Sequence, residues 1–188
     1  MESRIQTIHS GKWIHYRVAK FTDPGGTERS WEYVDRTDDR IAVIIVPICR
    51  PSNDLIFARQ YRPAMGCDVV EFPAGLVDEG ESFAETAMRE LREETGYLGK
   101  VIWESPILCS SPGVTSERTC LVGVEIDEND PANRAPEAAC EEDEWIEVMR
   151  IPQLTAAAEL KALSSDTVIV DSRIWAWLVS PGFDNPGG

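Results

Sequence analysis

Gly75-Leu76-Val77-Asp78-Glu79-Gly80-Glu81-Ser82-Phe83-Ala84-Glu85-Thr86-Ala87-Met88-Arg89-Glu90-Leu91-Arg92-Glu93-Glu94-Thr95-Gly96-Tyr97 is the stretch from which the rest of the chain is read. Ser82 followed by Glu85 has the form of a capping box. Phe83, Ala84, Ala87, Met88 and Leu91 recur at helical spacing, and Gly96 stands where a left-handed residue ends a helix. This predicts a helix over 82–95 that packs on a sheet through Phe83, Ala87 and Leu91. Glu90, Glu93 and Glu94 then fall at i, i+3 and i+4, on one helical face. Like charges so crowded destabilise a helix unless something positive sits among them. Hard divalent cations with oxygen ligands suit such a cluster, Mg²⁺ above all. The stretch therefore has the makings of a metal-dependent active site.

Outward from this helix the chain is mostly strand. Residues 41–49 form a continuous β-branched apolar run, the mark of a strand buried on both faces. Strands are expected at 55–61, 68–72 (ended by Pro73), 101–108, 118–126 and 145–149. Residues 127–140 read as a loop. Two helices are expected at 152–163 and 166–179. Before all this, residues 13–19 and 29–34 flank Asp23-Pro24-Gly25-Gly26, strong turn chemistry, and read as a hairpin. Strands around one central helix argue for a mixed α/β sandwich. The expected division is an N-terminal β segment, 1–38, and a main domain, 39–188.

The chain's 188 residues suit one domain with an appended segment, and 43% hydrophobic residues suffice for an ordinary core. A formal charge of -15, from 33 acidic against 18 basic residues, argues against a duplex nucleic-acid binder or an anionic membrane surface as partner. A phosphate-bearing small molecule remains compatible if metal ions and local arginines offset the repulsion. Cys49, Cys67, Cys109, Cys120 and Cys140 are odd in number and form no Cys-x-x-Cys pair. That disfavours a disulfide framework or zinc site and suits reduced thiols. Residues 1–10 lack an apolar signal core, and no apolar run approaches the roughly 18 residues of a spanning helix. A soluble, cytoplasmic protein is expected, the nucleus being compatible too.

Gly75, Glu81, Arg89, Glu90, Leu91, Glu93, Glu94 and Gly96 match the Nudix box in type and spacing. The one departure is Tyr97 at a normally aliphatic position, read as a packing difference. The chain thus resembles the Nudix hydrolases, α/β/α sandwiches around a mixed sheet, here with an N-terminal β-hairpin layer. A chance charged surface helix would not place the glycine, arginine and carboxylates together. The resemblance implies hydrolysis of a nucleoside diphosphate linked to another group, with Mg²⁺ or Mn²⁺ as cofactor. Glu90, Glu93 and Glu94 would hold the metal, joined by the carbonyl of Ala74, and Arg89 would orient a carboxylate through its fork.

The flanks narrow the resemblance. Gln60-Tyr61-Arg62-Pro63, Glu71-Phe72-Pro73-Ala74-Gly75 and Ser110-Ser111-Pro112-Gly113, with Trp13 and Trp31 upstream, resemble the ADP-ribose and ADP-sugar pyrophosphatases of eukaryotic type. This implies cleavage of ADP-ribose to AMP and ribose 5-phosphate. It also implies adenine stacked by Trp13 and Trp31, and a homodimer in which the N-terminal segment is exchanged between subunits. Glu32 is the candidate acceptor for the adenine amino group. Arg36 and Arg62 are candidates for phosphate or ribose oxygens. Ala74, Leu76 and Pro112 complete the substrate-binding set. Glu144 aligns best with the general base, and Glu117 and Glu93 are the alternatives. Two rival readings are a hydrolase clearing oxidised nucleoside diphosphates such as 8-oxo-dGDP and a non-catalytic nucleotide-binding module; the intact box disfavours the second.

Overall fold

The computed structural model describes residues 3–140 and 145–180. In chain order its elements are β1 (Ser3–Ser10), β2 (Ile14–Thr22), β3 (Glu28–Arg36), β4 (Ala42–Arg50), β5 (Asp54–Arg62), β6 (Cys67–Glu71), β7 (Ala74–Leu76) and α1 (Phe83–Thr95). There follow β8 (Lys100–Glu104), β9 (Leu108–Cys109), β10 (Arg118–Asp127), β11 (Glu147–Pro152), α2 (Gln153–Leu163), β12 (Val168–Val170) and α3 (Ser172–Val179). They fall into two compact units. One takes the chain up to Ala42 with Pro106–Cys120; the other takes Val43–Ser105 and the chain from Leu121 on.

The first unit is an antiparallel meander, β1-β2-β3. The turn between β2 and β3 is tied by Asp23, whose carboxylate accepts the N–H groups of Gly25 (3.0 Å) and Thr27 (2.9 Å). Gly26 there has φ 82°, a conformation that favours glycine. The hairpin expected from the sequence is therefore a three-stranded sheet. β1 escaped the reading because it is a mostly polar, exposed segment with only Ile5 and Ile8 as large apolar residues. Residues 114–116 lie along β3: the Val34 N–H donates to the Val114 carbonyl and the Ser116 N–H to that of Val34.

The second unit holds a mixed sheet ordered β12-β6-β5-β4-β10-β8, with β11 also paired to β5 and β7 to β4. β12 runs parallel to β6, whereas β5 pairs antiparallel with β6 and β11. In β4, Ile44, Val46 and Ile48 join Leu55, Phe57, Val70, Ala156, Leu160 and Ile174 in one apolar core. Val43 and Ile45 point to the other face and are just as buried. The sheet is thus covered on both sides, as the continuous apolar run required. Each such side chain contributes about 1.5–3 kcal/mol by leaving water. α2 packs on β5, β11 and α3, and α1 packs on β7 and β8. This is the α/β sandwich with a mixed sheet.

Three expectations need correction. The strand expected at 101–108 is broken into β8 and β9, with Pro106 between them, a residue that cannot donate to a ladder. The strand expected from residue 145 starts at Glu147, leaving Trp145 outside it and 83% exposed. The helix expected from residue 166 starts at Ser172. Val168–Val170 is β-branched and pairs with β6, and Asp171 caps α3 by accepting the Arg173 N–H at 2.7 Å. No helix among the described residues is long and apolar enough to cross a membrane.

Candidate active site

α1 is fixed at both ends. Ser82 accepts the Glu85 N–H, and Glu85 reaches back to the Ser82 N–H at 2.8 Å, so the capping box is formed. Gly96 closes the helix at φ 76° and donates to the Arg92 carbonyl. The buried face differs from the expected stripe. It consists of Thr86, Ala87, Leu91, Glu94 and Thr95, while Phe83, Ala84 and Met88 are only half-buried. The apolar pair Ala87 and Leu91 anchors the helix, and polar groups flank that pair on both sides. Tyr97, at the departing box position, is 7% exposed.

Arg89 is the hub of the carboxylate face. Its Nε and Nη2 fork onto the two oxygens of Glu81 at 2.8 and 2.9 Å. Its Nη1 donates to Glu90 at 2.7 Å and to Glu93 at 3.1 Å, and its Nη2 also reaches the Leu76 carbonyl at 3.2 Å. One guanidinium therefore binds three carboxylates and the loop, a geometry that its planar fork permits and an ammonium does not. The Arg89 fork, helped by the Thr86 hydroxyl, holds the Glu81 carboxyl down at about 2. The same carboxylates push the guanidinium pKa up, Glu81 first.

Gly75 sets the closest approach. A Cβ there would lie 1.9 Å from Glu90 Cδ and Oε1, so only glycine lets the Glu90 carboxylate press on the strand backbone. Glu94 is 4% exposed and accepts the Ala74 N–H at 3.1 Å. The contact seen from Ala74 to this cluster thus runs through its amide. Glu93 is the more open carboxylate, and its carbonyl accepts the Ala139 N–H at 2.8 Å. Among the described residues no three His, Cys, Asp or Glu side chains close into a ready metal-binding group; here Arg89 stands between Glu90 and Glu93 as their countercharge. The donor set still fits a hard divalent ion: Glu90, Glu93 and Glu94 offer carboxylate oxygens at i, i+3 and i+4 of one helix.

The remaining candidates are placed as follows. In the first unit, Trp31, Tyr33, Phe21, Ala19, Pro112 and Thr115 line part of a cleft of about 380 Å³. The Trp31 indole N–H donates to the Gly113 carbonyl at 3.2 Å, which fixes its ring. Trp13 is exposed, with the Lys12 ammonium 4.3 Å over its ring. Trp13 does not line the Trp31 cleft. Glu32 accepts from the Tyr16 hydroxyl, which raises the Tyr16 pKa. Arg36 pairs with Asp38 at 3.2 Å, and the Glu117 N–H donates to the Thr115 hydroxyl. In the second unit Arg62 pairs with Glu71 at 2.6 Å. Glu144 lies outside the described residues. Sequence reasoning missed Thr86 and Glu71 as members of these networks. Thr86 had one visible signal, a hydroxyl beside the apolar anchor Ala87; Glu71 had none beyond its place before Phe72-Pro73.

The NUDIX domain family matches residues 38–168. The ADP-sugar pyrophosphatase of Mus musculus is 34% identical over 180 residues, 92% of this chain and 83% of that protein. The ADP-ribose pyrophosphatase of Saccharomyces cerevisiae is 34% identical over 171 residues, 87% of this chain and 74% of that one. The crystal structure of an ADP compounds hydrolase matches with a TM-score of 0.69 at 24% identity, over 93% of this chain and 88% of that chain, a likeness of fold.

Proposed function

This chain belongs to the NUDIX family, and from that premise we propose that it hydrolyses the pyrophosphate of ADP-ribose and related ADP-sugars. ADP-ribose and water give AMP and ribose 5-phosphate. The observation that carries the reading is the Arg89 hub, which presents Glu90 and Glu93 on one face with Glu90 pressed against Gly75. A solvated surface helix has no need of such an arrangement.

Glu90, Glu93, Glu94 and the Ala74 carbonyl would hold a divalent cation, Mg²⁺ with Mn²⁺ as the alternative. When bound, it lowers the pKa of a water and offsets charge on the diphosphate. Arg89 holds Glu90 and Glu93 aimed through its two Nη1 hydrogen bonds. Glu144 is the proposed base that takes the proton of the attacking water, with Glu117 and Glu93 as alternatives. Trp13 and Trp31 stack the adenine, and Glu32 accepts its amino group. Arg36 and Arg62 bind phosphate or ribose oxygens, releasing Asp38 and Glu71 to do so. Leu76 and Pro112 are further candidates for substrate binding. Segment 1–38 serves dimer formation with exchange between two subunits, 39–188 is the hydrolase domain, and the enzyme works in the cytoplasm or nucleus.

A substrate panel tests the activity. ADP-ribose should lead in kcat/KM over ADP-glucose, ADP-mannose and 8-oxo-dGDP. A lead for 8-oxo-dGDP of more than about tenfold, 1.4 kcal/mol in transition-state binding, would shift the assignment to clearance of oxidised nucleotides. Sedimentation showing only monomer at micromolar concentration would remove the dimer.

A further inference from the structure

We propose that Thr86 is a positioning residue of the carboxylate cluster, acting on Glu90 and Glu93 through Glu81 and Arg89. The inference rests on the reading of that cluster as the catalytic centre. Thr86 is fully buried on the helix face that otherwise rests on Ala87 and Leu91. A buried hydroxyl needs a partner. In a helix, threonine commonly bonds back to the carbonyl four residues earlier. Here the Ser82 carbonyl already takes the Thr86 N–H, and the Thr86 hydroxyl reaches past the helix start to Glu81 Oε2 at 2.8 Å.

That oxygen is also bound by Arg89 Nη2 at 2.9 Å and by the Asp78 N–H at 3.3 Å. The other oxygen, Oε1, takes Arg89 Nε at 2.8 Å. Glu81 is therefore held at both oxygens, and among the described residues Thr86 and Arg89 are the side chains that donate to it. With the Glu81 plane fixed, the Arg89 plane is fixed, and Nη1 meets Glu90 and Glu93 in one orientation. Removing the hydroxyl leaves the ion pair but lets the Glu81 carboxylate turn about its terminal torsion, which is broad for glutamate. The guanidinium follows, and with it the two carboxylates. Partly satisfied polar networks lose more than one bond's worth of order. A valine at position 86 would keep the shape of the side chain, so packing alone does not account for threonine.

The test compares wild type, Thr86→Val, Thr86→Ser and Glu81→Gln as full chains. Mn²⁺ binding is read by electron paramagnetic resonance of the free ion, alongside kcat and KM for ADP-ribose and the melting temperature. T86V should weaken Mn²⁺ binding and lower kcat by about tenfold each, with KM for ADP-ribose within about twofold, as loss of a hydrogen bond to a charged group predicts. T86S should stay within about threefold of wild type, because it keeps the hydroxyl. In the E81Q background T86V should add nothing. If T86V folds poorly, Thr86→Ala removes the same hydroxyl while introducing the best helix former, and is read the same way. T86S as impaired as T86V, or T86V additive with E81Q, would overturn the proposal. So would T86V equal to a wild type that binds Mn²⁺ and cuts ADP-ribose, and the enzyme assignment would then stand. A wild type that does neither sinks both.

Discussion

Gly75→Ala separates catalysis from folding more sharply than any other single change here. The added Cβ would sit 1.9 Å from Glu90 Cδ and Oε1 and 2.4 Å from its Cγ. The strand backbone at Gly75 carries no positive φ, so alanine meets no conformational penalty there. The displacement falls on Glu90, whose carboxylate is the far end of a flexible side chain. Reaching an ordinary contact of 3.4 Å from 1.9 Å requires a movement of about 1.5 Å. That exceeds the roughly 1 Å misplacement that can cost about 10²-fold in rate. It also breaks the 2.7 Å bond from Arg89 to Glu90. The expected result is a fall in kcat/KM for ADP-ribose of at least about 100-fold, near 2.7 kcal/mol. The melting temperature should drop by no more than about 4 °C, the shift for 1 kcal/mol in a protein of this size. Steady-state release of AMP, followed by chromatography, and a thermal scan on the same preparation give both numbers. A variant with more than about a third of wild-type activity would refute the argument, since it would mean the Glu90 position does not matter to the chemistry. A variant that loses its melting transition would instead show that Gly75 serves packing.

Three further outcomes follow from the same geometry. The Glu81 carboxyl is held at about 2, below its usual 4.5, so the stability it adds is present above the unfolded value and disappears as pH falls through the folded one. The gap in melting temperature between wild type and Glu81→Gln should therefore narrow between pH 4.5 and pH 2, and a gap constant across that window would contradict the fork. Trp31→Ala should raise KM for ADP-ribose by about 5- to 150-fold, the equivalent of about 1–3 kcal/mol of base stacking, and an unchanged KM would remove Trp31 from the substrate site. Glu144→Gln or Glu117→Gln should lower kcat by about 10²–10⁴-fold if that residue is the base, and a loss below about tenfold at both would leave neither in the role.

The chain discloses its centre better than its edges. The α1 helix, its capping box and its Gly96 stop were legible because each rests on local chemistry within a few residues. The β4 run was legible because burial on both faces leaves no polar alternation. β7 was not, because Pro73 and Gly75 flank or interrupt it and read as breakers, while its partner β4 lies some thirty residues away in sequence. β12 was hidden by its three-residue length and by a parallel partner that no turn announces. At the site, the box fixed which carboxylates share a face, but not what holds them. The Arg89 bonds to Glu81 and Leu76 span 8 and 13 residues, outside any helical period, so only the folded loop brings them together. Thr86 went unread for a related reason: in a helical pattern it counts as a surface position, yet the helix turns it inward.

Phosphorus-31 magnetic resonance on the purified protein with ADP-ribose and Mg²⁺ bears most directly on the whole account. The pyrophosphate signals should vanish in step with the growth of two phosphomonoester signals, those of AMP and ribose 5-phosphate, and a chelator should stop the change. Pyrophosphate signals that persist with enzyme and metal in excess would contradict it.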